Sequence, residues 1–378
     1  MKKQEYTSFA DLAITRRKIK DQFFNQINTL INWKRIDTII GKSYSKGESV
    51  AGRPSYPGLL LFKICLLQTW YGLSDYEVED QVNDRISFSR FVGLSMDDKC
   101  PDHSVISRFR TAMTEKKAYD KLFKEMNKQL QSHKIIVNTG VIVDASITDS
   151  PRKPKGFKEY EVVEDRKEHS KEEDDDSIDM PDSKENNQEV CAQQEPQTSV
   201  DKTKEVMLTV KTKLGVDTDG KWVKKAGKLR FGFKQHTGTD ENGMITGVIT
   251  TPANESDMNH LEDVVELADL PKDGWVMADK GYKSKKNDLI VASHQWQNRI
   301  MNRAFRNRPL TEEERIQNKE ISKIRYKVER AFGSMRRWFG AGTARYIGLD
   351  KMHTQHLMEA MAYNLYRSPR IAMSICVD

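Results

Sequence analysis

Two aspartates stand where short apolar segments end, a position from which a carboxylate can reach a metal ion or a phosphate. The first is Asp144 in GVIVDAS, and the second is Asp279 in GWVMADKGY. A strand end holds its side chain at the rim of a sheet, and paired carboxylates there suit Mg²⁺, which takes oxygen ligands. Aspartate also begins turns, so turn formation explains either residue when it is taken alone.

A third acid lies in the segment ISKIRYKVERAFGSMRRWFG, whose apolar residues recur at helical spacing. This pattern predicts an amphipathic helix over about residues 312–337 with one buried face. Glu329 follows Arg325 by four residues, and Arg336 extends the same side of the helix. Such a pair is often a surface ion pair worth about a few tenths of a kcal/mol. The functional alternative is a carboxylate at the edge of the buried face, with arginines beside it to hold phosphates.

The segments that carry these acids alternate between strand and helix patterns. Residues 135–143 are β-branched and almost wholly apolar, which predicts a buried central strand ending at Asp144. Further strands are predicted at 206–214, 229–237, 244–250 and 274–278, and further helices at 258–267 and 350–366. The second and third of these strands flank GTDENG, which is typical of a hairpin turn. Together these elements predict a mixed sheet covered by helices.

The chain before this sheet is predicted to be helical, from residue 9 to about 135. Residues 59–70 are apolar nearly all round, which indicates a buried helix. Short helical segments follow it, and short helices joined by tight turns are typical of a helix-turn-helix unit. The last of them has Arg108 and Arg110 on its polar side, and arginine is a residue type that contacts phosphates. An ordinary three-helix packing unit with a solvated face is the alternative.

Charge is unevenly distributed along the chain, whose net charge is +6. Residues 159–189 contain 14 acidic and 4 basic residues, and the rest of the chain then has a net charge of about +16. A surplus of this size favours a polyanionic partner, usually nucleic acid, although a merely soluble basic protein would also fit. The acidic segment lies within residues 151–205, which are too polar to fold alone and are predicted to be a disordered insertion.

The sequence excludes several other classes of protein. Its four cysteines are far apart, so reduced thiols are expected rather than a disulfide framework or a zinc site. No apolar stretch reaches the length of a membrane span, and the first residues lack the apolar core of a signal peptide. A cytoplasmic location without membrane contact is therefore expected.

Taken in order, the strand aspartate, the second strand aspartate and the helix glutamate follow the arrangement of a ribonuclease-H-like nuclease. The chain resembles the DDE transposases of bacterial insertion sequences, of the insertion-sequence-four and insertion-sequence-five types. The resemblance covers roughly residues 50–150 and 205–367. It is carried by GRPSYPGLLLFKICLLQTWYGLSDYE, SVISRFR, VIVDAS, LRFGFKQHTGTDENGMITGVITTPANESD, VMADKGYKS, IRYKVERAFGSMRRWFG and AMAYNLYR.

The resemblance implies a fold, a reaction and a set of partners. The fold is an α/β ribonuclease-H-like mixed sheet with flanking helices, preceded by an all-α helix-turn-helix-like domain. The implied division is a helical DNA-binding domain at 1–134, a catalytic domain at 135–367 and a tail at 368–378. The reaction is cleavage of transposon ends and their joining to target DNA, with two Mg²⁺ or Mn²⁺ ions. The implied partners are the inverted repeats at the transposon ends, target DNA and a second copy in a homodimer, which is nucleoid-associated when it binds DNA.

The same resemblance assigns roles to individual residues. Asp144, Asp279 and Glu329 are the expected catalytic residues and metal ligands. Contacts with DNA are expected from Arg108, Arg110, Lys234, Lys280, Arg325 and Arg336. In the family pattern a Tyr, an Arg, the Glu and a Lys are spaced along the last helix. Here Ser322 stands in place of the Tyr and Arg336 in place of the Lys, and a guanidinium is not equivalent to an ammonium.

Several of these residues have a simpler explanation. Lys234 and His236 match a family strand motif but are equally explained as a solvated lysine and a strand histidine whose hydrogen bonds are satisfied. Lys280 and Tyr282 flank the second aspartate, where turn formation around Gly281 is the alternative.

Three other functions fit the same residues. A ribonuclease-H-like nuclease without strand transfer would use the same ligands. A catalytically dead DNA-binding relative and a structural scaffold with an acidic interaction loop are further alternatives, and the presence of all three acids argues against both.

Overall fold

The helical part of the chain is built from helices with local end signals. The computed structural model describes residues 22–44, 55–95, 97–154, 215–225, 227–306 and 308–375. Its first helices are α1 (Gln22–Leu30), α2 (Trp33–Ser43), α3 (Gly58–Tyr71), α4 (Asp75–Asp84), α5 (Ile86–Val92), α6 (His103–Glu115) and α7 (Ala118–Ser132). Ser74 begins α4 with a capping box that Glu77 completes, and Gly72 ends α3 in the left-handed conformation.

Helix α3 is buried on almost every side, which confirms the prediction for residues 59–70. It even buries a lysine, Lys63, whose ammonium donates to the carbonyl of Phe91 at 3.0 Å and lies 4.5 Å from the centre of the Trp33 ring. Burial lowers the pKa of Lys63 to about 8. A hydrogen bond and a cation–π contact thus make a charge tolerable inside the helical core.

A mixed sheet follows, with β1 at its centre. The strands are β1 (Gly140–Asp149), β2 (Lys221–Lys225), β3 (Lys228–Thr239), β4 (Ile245–Pro252), β5 (Trp275–Ala278) and β6 (Gln297–Ile300). They lie in the order β2-β3-β1-β5-β6, and β4 also pairs with β3, outside this order. Strand β1 is antiparallel to β3 and parallel to β5, and β5 is parallel to β6. The mixed sheet predicted from the alternating patterns is confirmed.

The bounds of β1 differ from the prediction. Residues Ile135 and Ile136 are buried, but they lie in the turn after α7, where the amide of Ile135 donates to the carbonyl of Leu130. The strand begins at Gly140 and continues through Asp149, so Asp144 lies in its middle rather than at its end. An apolar run predicts burial well, but burial in a turn and burial in a strand leave the same pattern.

The helices that cover the sheet are α8 (Leu261–Leu267), α9 (Lys285–Ser293), α10 (Glu312–Phe339) and α11 (Leu349–Ile375). The hairpin between β3 and β4 confirms the turn predicted in GTDENG. Helix α11 continues through Pro369 to Ile375, so the residues predicted as a tail from 368 are helical up to that point. The predicted strand at 206–214 and most of the insertion at 151–205 lie outside the described residues.

One hydrophobic core joins the helical part to the sheet. It contains residues of α3 and α6 together with Ile142 of β1, Met277 of β5 and much of α11. The indole of Trp70 donates to the carbonyl of Ala362 at 2.9 Å within it. The described residues within 1–151 and 217–378 form one compact unit. The division at residue 134 stays a prediction, and the core is continuous across it.

None of the helices in the described ranges is long and apolar enough to cross a membrane.

Candidate active site

The parallel pairing of β1 and β5 brings the two strand aspartates together. In the register of the pair, Val143 lies opposite Ala278. Asp144 is the next residue of β1 and Asp279 is the residue that follows β5, so both lie at the point where the parallel ladder ends. Adjacent strands lie about 5 Å apart, so the two carboxylates lie near each other where the parallel pairing of β1 and β5 ends.

The two aspartates have different surroundings. The side chain of Asp144 is 21% exposed and accepts a hydrogen bond from the amide of Ala145 at 2.9 Å. Burial raises the pKa of Asp144, and the charge of Arg325 offsets this only in part. The side chain of Asp279 is 39% exposed and accepts from the amide of Lys280 at 2.6 Å. Asp279 also caps the short 3₁₀ turn that follows β5, so turn formation and the candidate site use the same residue.

Helix α10 supplies the glutamate. A capping box between Thr311 and Glu314 begins the helix, and Gly340 ends it in the left-handed conformation. The predicted apolar stripe is buried at Val328, Phe332, Met335 and Phe339. Because these side chains pack inward, Glu329 lies beside the buried face with its own side chain 61% exposed.

The guanidinium of Arg325 lies among all three acids. Its Nη2 is 3.1 Å from Asp144 Oδ2 and 3.1 Å from Glu329 Oε1, and its Nη1 is 3.4 Å from Asp279 Oδ1. Its side chain is 11% exposed, and within the described residues its Nε is buried without a hydrogen-bond partner. One positive charge thus faces three negative charges, which leaves the cluster with a net charge of −2.

This cluster fits divalent cations by its donor chemistry. Three carboxylates from three elements surround one guanidinium, and carboxylate oxygens are the ligands that Mg²⁺ and Mn²⁺ prefer. Among the described residues, however, the three acids do not form a set of ligand atoms within 4.8 Å of one another. The guanidinium of Arg325 lies between them. A cation bound by all three acids would therefore take the place of that guanidinium.

Two side chains beside the cluster have structural contacts. Arg336 of α10 donates to Ser146 Oγ at 2.6 Å and to the carbonyl of Ile147 at 3.3 Å, which ties the helix to β1. Tyr282 is 2% exposed, and in the described part of the chain its hydroxyl has no hydrogen-bond partner. Burial, followed by the charge of Asp257, raises the pKa of Tyr282. Tyr282 is a core residue of the turn in this structure, and Lys280 next to Asp279 is exposed.

The strand motif GFKQH lies inside the protein. Lys234 is buried and pairs with Asp257 at 2.7 Å, and it also donates to the carbonyl of Glu255. His236 is fully buried, its Nε2 lies 2.9 Å from Thr251 Oγ1, and burial lowers its pKa to about 3. This arrangement corrects the expected DNA contact of Lys234, because its charge is already neutralised by Asp257. The partner, Asp257, has no signal in the spacing of the sequence.

The two arginines of α6 differ in the same way. Arg108 is exposed, and its hydrogen bonds to the described residues go to Ser104 on its own helix. Arg110 is buried, donates to both carboxylate oxygens of Asp75 at 3.0 and 2.7 Å, and donates to Gln68 at 3.0 Å. The expected DNA contact of Arg110 is therefore corrected to a structural role, because its guanidinium is occupied within the core.

Comparisons with known proteins identify the family of the chain. Residues 13–112 match the family described as Transposase domain (DUF772), and residues 174–365 match the family described as Transposase DDE domain. The second match spans just over half of the chain and includes Asp279 and Glu329, whereas Asp144 precedes it. The class defined by the acidic cluster and the mixed sheet is thus that of the DDE enzymes. The chain belongs to the DDE transposase family.

A protein relative supports the same family. The chain is 40% identical over 170 residues to the transposase for insertion sequence element IS1106 of Neisseria meningitidis serogroup B. The match covers 45% of this chain and spans 58% of the length of that relative. The crystal structure of the Mos1 strand transfer complex matches over 95% of this chain and 98% of that one, with 8% identity and a TM-score of 0.19. A likeness at that score carries no argument about the fold.

Proposed function

We propose that this protein is a DNA transposase that cuts transposon ends and joins them to target DNA. The observation that carries the proposal is the meeting of Asp144, Asp279 and Glu329 around Arg325. Family membership supports it, and so does the sheet order, which is that of a ribonuclease-H-like fold once β2 is set aside. Fold alone does not define a reaction, so the weight rests on the cluster.

The proposed reaction has two phosphodiester steps. In the first, the oxygen of water attacks the phosphorus at the transposon end, the bond from phosphorus to the 3′-oxygen breaks, and the 3′-hydroxyl is freed. In the second, this hydroxyl attacks a phosphorus of target DNA and displaces a 3′-oxygen there. Two Mg²⁺ or Mn²⁺ ions, when bound, would lower the pKa of the attacking group and neutralise charge on the leaving oxygen.

The residues of the chain have distinct parts in this proposal. The three acids hold the cations at one edge of a rigid sheet, and Glu329 approaches from a helix that is anchored by its buried face. Arg325, once displaced from the acids, and the exposed Lys280 are placed to contact the phosphates of DNA. Arg336 lies on the same helix and keeps α10 against β1. Positioning and charge neutralisation are what phosphoryl-transfer sites mainly contribute.

The proposal extends to partners and location. The DNA partners are the inverted repeats at the transposon ends and the target DNA, and two copies of the chain act as a homodimer. The exposed Arg108 is proposed to contact the transposon end. The protein is placed in the cytoplasm, at the nucleoid when it binds DNA.

Three substitutions test the proposal: Asp144→Asn, Asp279→Asn and Glu329→Gln. Each should abolish cleavage of transposon-end DNA while leaving DNA binding and thermal unfolding unchanged, and EDTA should abolish cleavage by the wild type. Cleavage that survives EDTA or any of these substitutions would overturn the site.

A strand-transfer assay with pre-cut 3′-hydroxyl ends separates transposition from plain hydrolysis. Joined products that form with the wild type, and not with Glu329→Gln, support the transposase. Cleavage of ends without any joined product would instead support the nuclease alternative.

A further inference from the structure

A second group of potential metal ligands lies on α8 and α9, outside the acidic cluster. Glu262, Glu266 and His294 each offer one ligand atom, and all three atoms lie within 4.8 Å of one another. Of the described residues, these three are the ones that meet this condition. His294 Nε2 lies 3.1 Å from Glu262 Oε1.

The spacing of the two glutamates favours a bound cation. Residues four apart lie on one face of a helix, so the carboxylates of Glu262 and Glu266 are neighbours. Two like charges in this relation destabilise a helix, and Glu262 lies against the imidazole of His294 at 3.1 Å. A divalent ion would replace that repulsion by attraction to both carboxylates.

The imidazole is held in position before any ion binds. Its ring stacks on Trp296 with a centroid distance of 4.2 Å and an angle of 8° between the planes. Trp296 in turn packs against the core cluster that contains Val264, Val265 and Val276. A ligand whose ring is fixed by packing loses little freedom on binding, which is how metal sites are commonly organised.

We propose that Glu262, Glu266 and His294 form a binding site for a divalent transition-metal ion of the Zn²⁺ class. One imidazole nitrogen and two carboxylate oxygens are a usual donor set for such ions. Ligand atoms around a tetrahedral ion with bonds of about 2.0–2.1 Å lie roughly 3.3 Å apart. The 3.1 Å between His294 and Glu262 already matches this edge, and the exposed Glu266 closes the site by a rotamer change.

A bound ion would link two helices, α8 and α9. His294 follows the last residue of α9 and Glu262 lies in the first turn of α8. An ion held by both would fasten these helices over β5, the strand that leads to Asp279. This site is independent of the proposed transposase reaction, because none of its residues contacts the acidic cluster in the described structure.

The test counts bound Zn²⁺ by equilibrium dialysis in a background of Asp144→Asn, Asp279→Asn and Glu329→Gln, which removes the acidic cluster. This background should bind one equivalent more than the same background with Glu266→Gln or with His294→Gln. Asp263→Asn, on the same helix and paired with His260, is the matched control and should retain that equivalent. Glu266 is exposed, so its substitution should leave the fold intact.

A local readout distinguishes this site from other zinc-binding groups such as Cys100. Ni²⁺ bound at His294 should quench the fluorescence of Trp296, and the quenching should vanish with Trp296→Phe and with His294→Gln. The wild type should also gain thermal stability in Zn²⁺, and Glu266→Gln should lose at least tenfold in affinity. Equal Zn²⁺ stoichiometry in the background and in its Glu266→Gln and His294→Gln forms would overturn the proposal, as would quenching that persists in the His294 variant.

Discussion

Two arginines, Arg110 and Arg325, are equally buried among carboxylates, and only one of them marks a candidate site. The side chain of Arg110 is 10% exposed and that of Arg325 is 11% exposed. Arg110 faces one carboxylate, that of Asp75, whereas Arg325 faces three. Burial and ion pairing of the arginine therefore do not distinguish the two clusters. The number of carboxylates for each arginine does.

The pKa values of Asp75 and Asp144 are shifted in opposite directions. Burial alone would raise the pKa of Asp75, but hydrogen bonds and charge from Arg110 outweigh it and lower the pKa. Burial also acts on Asp144, and there the charge of Arg325 and the hydrogen bond from Ala145 do not outweigh it, so the pKa stays raised. A balanced cluster is a structural ion pair, and a cluster with excess negative charge is prepared for a further cation.

The largest expected effect separates the clusters by activity. Asp144→Asn should lower single-turnover cleavage by at least about 1,000-fold, as expected for a residue of a catalytic unit. Asp75→Asn should leave the chemical step nearly unchanged once the folded fraction is corrected for. If unfolding of the Asp144→Asn variant accounted for its whole loss of cleavage, the contrast between the two clusters would fail.

The next largest effect distinguishes the two arginine clusters by the free energy of unfolding. Arg110→Ala should cost about 3 kcal/mol in the free energy of unfolding, because it leaves the partly buried carboxylate of Asp75 without its cation. Arg325→Ala should cost clearly less, since Asp279 and Glu329 reach solvent. Urea unfolding of both variants at one pH gives the comparison, and equal losses would contradict it.

Glu359 of α11 is a third case, a buried acid that accepts from Gln355 and has no ion pair among the described contacts. Burial raises its pKa to about 7 from an ordinary value of 4.5. The folded state then binds more protons than the unfolded state between pH 4.5 and 7. Stability from this group is full below pH 4.5 and falls as pH rises to about 7, by roughly 3 kcal/mol.

Glu359→Gln measures this contribution directly. The variant should be more stable than the wild type at pH 8, and the difference should shrink as pH falls towards 4.5. Buried histidines such as His356 have the opposite dependence, and comparing the two proteins cancels their effect. A stability difference that does not change with pH would remove Glu359 from the comparison.

A smaller effect tests the excess charge around Arg325. Arg325→Gln, measured without DNA, should raise the affinity for Mg²⁺ or Mn²⁺ by about tenfold, roughly 1.4 kcal/mol, because the guanidinium no longer competes for the three acids. Isothermal titration gives the affinity. Arg336→Gln on the same helix is the control and should leave it unchanged, and a weaker affinity in Arg325→Gln would mean that the arginine supports the cation.

The smallest effect concerns Arg108, the exposed arginine two residues before Arg110. Arg108→Ala should weaken binding of transposon-end DNA by about 1 kcal/mol and reduce the salt slope by about one phosphate contact. The exposed Arg370 of α11 is a matched control, and its alanine variant should leave the salt slope unchanged. If Arg108→Ala proves silent, end recognition belongs elsewhere, with the basic stretch 299–308 as the next candidate.

Some misassignments had a signal in the sequence. Arg110 follows Ile106 by four residues and precedes Met113 by three, so its spacing places it on the apolar side of α6. The prediction that Arg110 lies on the polar side was therefore wrong, and the helical spacing is the signal that could have placed it on the buried side. Lys234 had no such signal, because its partner Asp257 lies on a separate segment after β4.

The sequence by itself determined the features that depend on neighbours along the chain. The apolar stripe of α10, the burial of α3, the hairpin after β3 and the order of the three acids all follow from local spacing. Such patterns are legible because helices and strands repeat every few residues.

The pair of Arg325 and Glu329 follows from helical spacing, but only the tertiary structure decided which charges meet across separate elements. Asp144 and Arg325 are 181 residues apart, and Asp75 and Arg110 are 35 apart. Whether an arginine serves one carboxylate or three depends on strand register and helix packing, and no local pattern carries that information. The pairing of charges is therefore what the folded chain adds to its sequence.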